Sequence, residues 1–233
     1  MYKRQYIFNE FKSNTTNINT KNLQGENTGT VSGTLNMTFK DGYFINSGSI
    51  DWLNVNAGKG LIVNRGTALL NIKDNGQDSE LLTVDLKNSK VSKHSYSLGS
   101  SGEKVINSQI NRYSAPTRVI VNEETKIDGK LEANGTNETL VVSRDKDSEL
   151  HNVEAGMDKY VGFEKLEMQG KWAIKEHDAE FKKSITFNDA NVELADKKLI
   201  SPKVTNTASS TINVTSNACL LYTSPSPRDY AAS

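Results

Sequence analysis

The chain has 233 residues with 28 Lys and Arg against 28 Asp and Glu, so its formal net charge is zero and nothing draws it as a whole to nucleic acid or to an anionic membrane. Its single cysteine, Cys219, rules out an internal disulfide and a cysteine-built zinc site. With 25 Asn and 16 Gly it is rich in residues that turn the chain, while recurrent apolar runs argue against wholesale disorder.

Residues 1–5 read MYKRQ and resemble the translated end of a sequencing-library adapter. The last segment, 219–233, reads CLLYTSPSPRDYAAS and is similar to a longer stretch of such an adapter. Both are set aside as expected artefacts. The second is expected to be disordered, because the prolines of SPSPR cannot donate to a strand ladder. The natural segment is then 6–218. It holds 25 basic and 27 acidic residues, a net charge of −2, and no cysteine.

Within that segment the run at 34–39 (TLNMTF) places Leu35, Met37 and Phe39 on one face. The run at 49–55 (SIDWLNV) offers Ile50 and Trp52, then Leu53 and Val55 less regularly. Similar runs recur at 60–63, 68–72, 81–86, 118–121, 139–142, 163–168, 184–187 and 191–194. Alternation of period two bounded by Gly, Asn and Asp is the pattern of half-buried strands. No window sustains helical spacing with start and stop signals. The nearest, 154–163 and 173–181, predict loops with at most one helical turn. The segment is therefore expected to be all-β.

Two architectures fit such strands, an antiparallel β-sandwich and a solenoid. Asn27-Thr-Gly29, Asn46-Ser-Gly48, Asn56-Ala-Gly58 and Asn64-Arg-Gly66 repeat one Asn-x-Gly device, in which Asn and Gly are expected to take corner conformations. The reuse favours stacked coils. The stretch 89–116, with SLGSSG at 97–102 and Pro116 at its end, breaks the pattern. It predicts a loop or irregular coil protruding from the stack, where binding commonly resides.

The phrase GTVSGTLNMTFKDGYFINSGSIDW at 29–52 resembles the coils of bacterial autotransporter passenger domains, as does GFEKLEMQGKWAI at 162–174, and 178–194 continues in that manner. The resemblance implies a right-handed parallel β-helix, exported and displayed outside a Gram-negative cell. About ten coils of roughly 20 residues would stack into a rod on the order of 50 Å long. Leu35, Trp52, Ile62, Leu82, Val119, Val141, Leu166 and Ile185 are expected to share its core, and Asn and Thr to stack in ladders along its axis.

Catalytic signals are sparse. No Gly-x-Ser-x-Gly elbow, phosphate loop or His-Glu-x-x-His occurs in the sequence. His94, His151 and His177 are isolated among polar neighbours and are expected at the surface. The tight carboxylate groups are Glu123-Glu124 and Asp145-Lys-Asp147, the latter expected in a charged turn. Gly25, Gly29 and Gly33 have the spacing of a membrane-dimer motif, in a stretch too polar to span a bilayer. Trp52 and Trp172 are expected to pack. The sequons at Asn14, Asn36, Asn134, Asn137 and Asn213 follow from composition.

The expectation is a non-enzymatic scaffold for display and adhesion at the cell surface, with no catalytic, cofactor-binding or metal-binding residue. Its partners would be proteins or glycans of a host or neighbouring cell, without nucleic-acid binding or membrane insertion by this segment. A carbohydrate-active β-helix, a lyase, a hydrolase or a tailspike-like relative, is the alternative.

Overall fold

The computed structural model describes residues 4–11, 15–74, 81–144, 153–207, 209–215 and 217–222. Successive strands lie on one another in parallel and build a β-solenoid of about nine turns. Thr15–Asn46 pairs in parallel with Arg4–Phe11 on one side and with Ser49–Ala57 and Gly60–Asn64 on the other. At the far end, Lys165–Ile174 carries Ser184–Ala195, which carries Val204–Asn206 and Thr211–Thr215. This pairing excludes the antiparallel sandwich.

One apolar column shows how the coils hold each other. Phe44, Ile62, Val84, Val119, Leu140, Leu166, Ile185 and Val204 are register partners in succession. All but Val204, which packs against the core from a partly buried position, are buried. A single coil cannot enclose such a side chain; only the coils above and below can. Of the eight expected core residues, Leu35, Ile62, Leu82, Val119, Leu166 and Ile185 point into this core. Two do not. A bulge between Ile50 and Trp52 inserts a residue, so Leu53 takes the inward place and Trp52 stays half-exposed outside. Val141 is buried but in register with Ile120 and Glu167 on the other face, while Leu140 and Val142 fill the core.

The Asn-x-Gly units act through packing. Asn27, Asn46 and Asn64 are fully buried in one pillar. The Asn27 Nδ2 donates to Asn46 Oδ1 at 2.7 Å, and the Asn46 Nδ2 to Asn64 Oδ1 at 2.6 Å. Two residues on, the glycines stack so closely that a Cβ on Gly48 would lie 1.9 Å from the Gly29 carbonyl oxygen, and one on Gly66 1.7 Å from that of Gly48. Neither glycine has positive φ, so the expectation of special corner conformations is corrected: the coils need absent side chains there. Asn56-Ala-Gly58 belongs to a different corner. Gly42 and Gly60 do adopt positive φ, +150° and +132°, and stack in the same close fashion.

The stretch 89–116 is more regular than expected. Lys90–Val91 pairs with Thr67–Asp74, and Ser108–Asn111 lies between Thr67–Asp74 and Leu131–Ala133. Only the middle leaves the stack, as an antiparallel hairpin of His94–Ser97 on Glu103–Ile106 with a 3-10 turn at Gly99–Ser101. The expected helical turn near 154–163 is the 3-10 turn Met157–Lys159, whereas 173–181 forms none. Cys219–Tyr222 pairs in parallel with Lys198–Ser201, which corrects the expectation of a disordered tail for these four residues; 223–233 lie outside the described residues. At the other end, Arg4 and Gln5 are in register with Leu23 and Gln24.

The pillar gives a direct test. Asn46→Ala strands the amide of Asn27 and the carbonyl of Asn64 inside the rod, so stability should fall by about 2–3 kcal/mol. A melting curve in which the variant unfolds with the parent would show that the pillar contributes nothing.

Candidate functional site

The hairpin is rooted by one hydroxyl. Ser108 is fully buried; its Oγ accepts from the Leu70 N–H at 2.9 Å and donates to the Ser92 carbonyl at 2.9 Å. It thus bridges the point where the chain leaves the coil and the point where it returns. His94 reaches across the outer face to Trp52, ring centroids 5.3 Å apart, and also lies 6.1 Å from Tyr96. The Lys104 ammonium sits 5.8 Å from the Tyr96 ring.

Past the root, Arg112 and Tyr113 face opposite ways. The Arg112 side chain is fully buried; its Nη1 donates to the Ala57 carbonyl and its Nη2 to the Gly58 carbonyl at 2.7 Å. Tyr113 is 71% exposed, and its carbonyl accepts from the Thr136 N–H at 3.0 Å and Oγ1 at 2.8 Å.

Beside Tyr113 runs a line of outward amides. Asn36 Nδ2 donates to Asn17 Oδ1 at 2.8 Å, Asn54 to Asn36 at 2.8 Å and Asn71 to Asn54 at 3.1 Å. Asn111 donates to Asn71 at 3.2 Å, and Asn134 to Asn111 at 2.7 Å. Every amide therefore points the same way along the axis, and Asn111 also donates to Gln109 Oε1 at 3.1 Å. Asn71, Lys73, Asp74, Gln109, Asn111 and Tyr113 line a groove of about 570 Å³ on this face.

A second cleft, about 410 Å³, opens between Lys126–Ile127 and Val153–Glu154. Three carboxylates line it, each with a donor or cation at one oxygen, and the Glu154 Oε1 is buried without a partner. Glu123 Oε1 accepts from Arg144 Nε at 3.1 Å, Asp128 lies 3.4 Å from Lys90 Nζ, and Glu154 Oε2 accepts from the Lys175 N–H at 2.9 Å. Burial pushes the Glu154 carboxyl above its ordinary value. Lower on the rod, Glu167 accepts from Arg118 at 2.8 Å, Gln169 at 2.7 Å and Asn188 at 3.2 Å. Burial raises its pKa, but these donors outweigh that and hold it below the ordinary range.

The expected surface residues are dispersed. His177 is exposed, 3.7 Å from Asp158, and Glu124 is exposed. Asp145, Asp147 and His151 lie outside the described residues, as does Asn14. Trp172 is buried in the core, its Nε1 donating to the Gln169 carbonyl at 2.8 Å. Asn36 and Asn134 belong to the outer line; Asn137 accepts from Lys165 Nζ at 2.7 Å, and Asn213 is exposed. Gly25 packs on Phe44, where a Cβ would come within 2.8 Å of the ring, and the Gly33 N–H donates to Asp51 at 2.9 Å. Among the described residues, no group of three or more His, Cys, Asp or Glu could hold a metal ion. No protein-family model matches this chain, and no curated protein or solved structure matches it either.

Arg112 and Glu138 carried no sequence signal, the first lying in the stretch 89–116 expected to protrude and the second just before the run at 139–142. The outer line had a visible signal in Asn17, Asn36, Asn54 and Asn71, spaced by 19, 18 and 17 residues. Glu138 is fully buried in register with Thr117. Its Oε2 accepts from the Asn137 N–H at 3.1 Å, while Oε1 lies against Gly135 without a partner. Burial pushes its pKa up to about 7, the Glu164 charge adds to this, and nearby backbone donors partly offset it. The folded carboxyl holds its proton over a range where the unfolded one, near 4.5, has lost it. Stability from this group is therefore present below pH 4.5 and is lost as pH rises to about 7. Glu138→Gln should flatten the pH profile of the melting temperature across that window and melt above the parent at pH 8. An unchanged slope would remove Glu138 as its cause.

Proposed function

We propose that the chain is part of an exported autotransporter-type passenger, a non-catalytic rod that presents binding surfaces outside a Gram-negative cell and mediates adhesion. The observation that carries this reading is the placement of the hairpin. It leaves and rejoins the stack at Ser92 and Ser108, so the rod continues beneath it while its aromatic and basic groups stand on the flank. Loops displayed by a rigid scaffold are the usual carriers of recognition. A solenoid suits export as well, since its coils contact mainly their neighbours and can fold one after another. Partners would be proteins or glycans of a host or neighbouring cell.

The carbohydrate-cleaving alternative needs two free, converging carboxylates. Glu154 keeps one unpartnered oxygen, but Glu123, Asp128 and Glu167 are each tied to a cation, which leaves Glu154 without a second free carboxylate among these four and supports the non-catalytic reading.

The test is adhesion of beads coated with the whole chain to epithelial and bacterial cells, alongside a polysaccharide-cleavage panel. Adhesion without turnover is expected, and adhesion should be lost when a Gly-Gly link replaces residues 94–106. Turnover by the parent would move the assignment to the enzyme. Beads that adhere to nothing would end the adhesion reading.

A further inference from the structure

We infer that the groove beside Tyr113 is a subsite for a neutral oligosaccharide running along the rod axis, an inference that rests on the reading of the rod's flank as a binding surface. A primary amide carries two N–H donors and two acceptor positions. Asn71 uses one donor on Asn54 and one acceptor position for Asn111, and the other donor and acceptor position remain for a ligand. Gln109 accepts from Asn111 and donates one N–H towards Glu132 at 3.5 Å, which leaves its second N–H. The line of amides fixes the orientation of these groups before any ligand arrives, which lowers the ordering cost of binding.

The remaining walls select the class of ligand. Tyr113, a residue 71% exposed, offers an apolar ring on a backbone anchored by Thr136 in front and by the buried Arg112 behind. Around the groove, Lys73 and the buried Arg112 are balanced by Asp74, 4.0 Å from Arg112, and by Glu132, 3.5 Å from Gln109 Nε2, so a strongly anionic chain gains little. A flat aromatic face beside fixed donors and acceptors, without net charge, is complementary to a pyranose ring, apolar on its faces and hydroxylated at its rim. The groove, about 570 Å³, lies within the common range of ligand pockets, roughly 300–1,000 Å³. Coils repeat at about 4.8 Å, close to the length of one pyranose in an extended chain, so successive amides can meet successive sugars. An apolar peptide helix would find no matching hydrophobic trough here.

The experiment applies the whole chain, Tyr113→Ala and Tyr113→Phe to an array of neutral, sulfated and uronate-containing oligosaccharides, followed by calorimetry with the best binder. The parent should bind neutral chains. Tyr113→Ala should weaken that binding by roughly tenfold, Tyr113→Phe should keep it, and all three proteins should melt together because the side chain is exposed. Capture of anionic chains alone, parental affinity in Tyr113→Ala, or no glycan capture would overturn the subsite. The two readings fail separately. Cell adhesion that survives in Tyr113→Ala without glycan capture rejects the subsite and keeps adhesion, whereas glycan capture lost in Tyr113→Ala without cell adhesion does the reverse.

Discussion

Each coil of this protein must satisfy its neighbours at a fixed pitch of about 4.8 Å, and the primary amide is the side chain that meets that constraint unaided. It donates along the axis with one end and accepts with the other. Inside the rod, with no exposure to water, Asn46 does both, accepting from Asn27 and donating to Asn64. Buried polar groups are costly without partners, so each asparagine is stable only if the next coil brings another to the same place. The pillar thereby ties register to sequence in a way that interchangeable Leu and Val cannot. The close stacking of Gly29, Gly48 and Gly66 depends on it, because a coil displaced by one residue would drive a side chain into a carbonyl.

The general plan was legible because period-two runs and corner residues both recur along the chain. What failed were local parities. Trp52 looked inward because Ile50 does, and one bulged residue between them reversed the sense. Val141 sits between two inward-facing neighbours in an unbroken run of Leu and Val, where alternation carries no information. The outer asparagines were readable as far as Asn71. Beyond it the hairpin adds residues, so Asn111 follows 40 positions later, and no periodicity search would join them. The boundaries of the hairpin were equally hidden, since SKVSKHSYS reads as one polar stretch although Val91 is buried and His94 is exposed.

Arginine takes over where asparagine cannot. The place above Asn64 falls near Leu86, in the coil where Val63 meets Asp85, so the amide pillar stops there. Beside it Arg65 grips Asp85 with both terminal nitrogens, at 3.0 and 2.6 Å, and also donates to the carbonyls of Asp85 and Lys87. Arg112 closes the corner at Ala57 and Gly58, and Arg144 joins Glu123 to the Lys171 carbonyl. These corners place two or more acceptors close together, and a guanidinium has five donors in a planar fork to meet them. A lysine, with a compact ammonium, could not span two such acceptors with the same geometry.

The arginines also explain how an irregular insertion can sit on a regular rod. Burying a guanidinium is unfavourable unless its donors are used, so Arg112 is held in place only while the corner at Ala57 and Gly58 presents its carbonyls. That corner belongs to a coil formed before the hairpin in sequence, and the bonds reach back across 54 to 55 residues. The chain returning from the hairpin is thus fixed twice, by Ser108 to the coil it left and by Arg112 to the corner of an earlier one. With its backbone pinned on the inner side, the next residue, Tyr113, projects outward beside the amide line. Stability of the rod and presentation of its flank are consequences of the same inward-facing bonds.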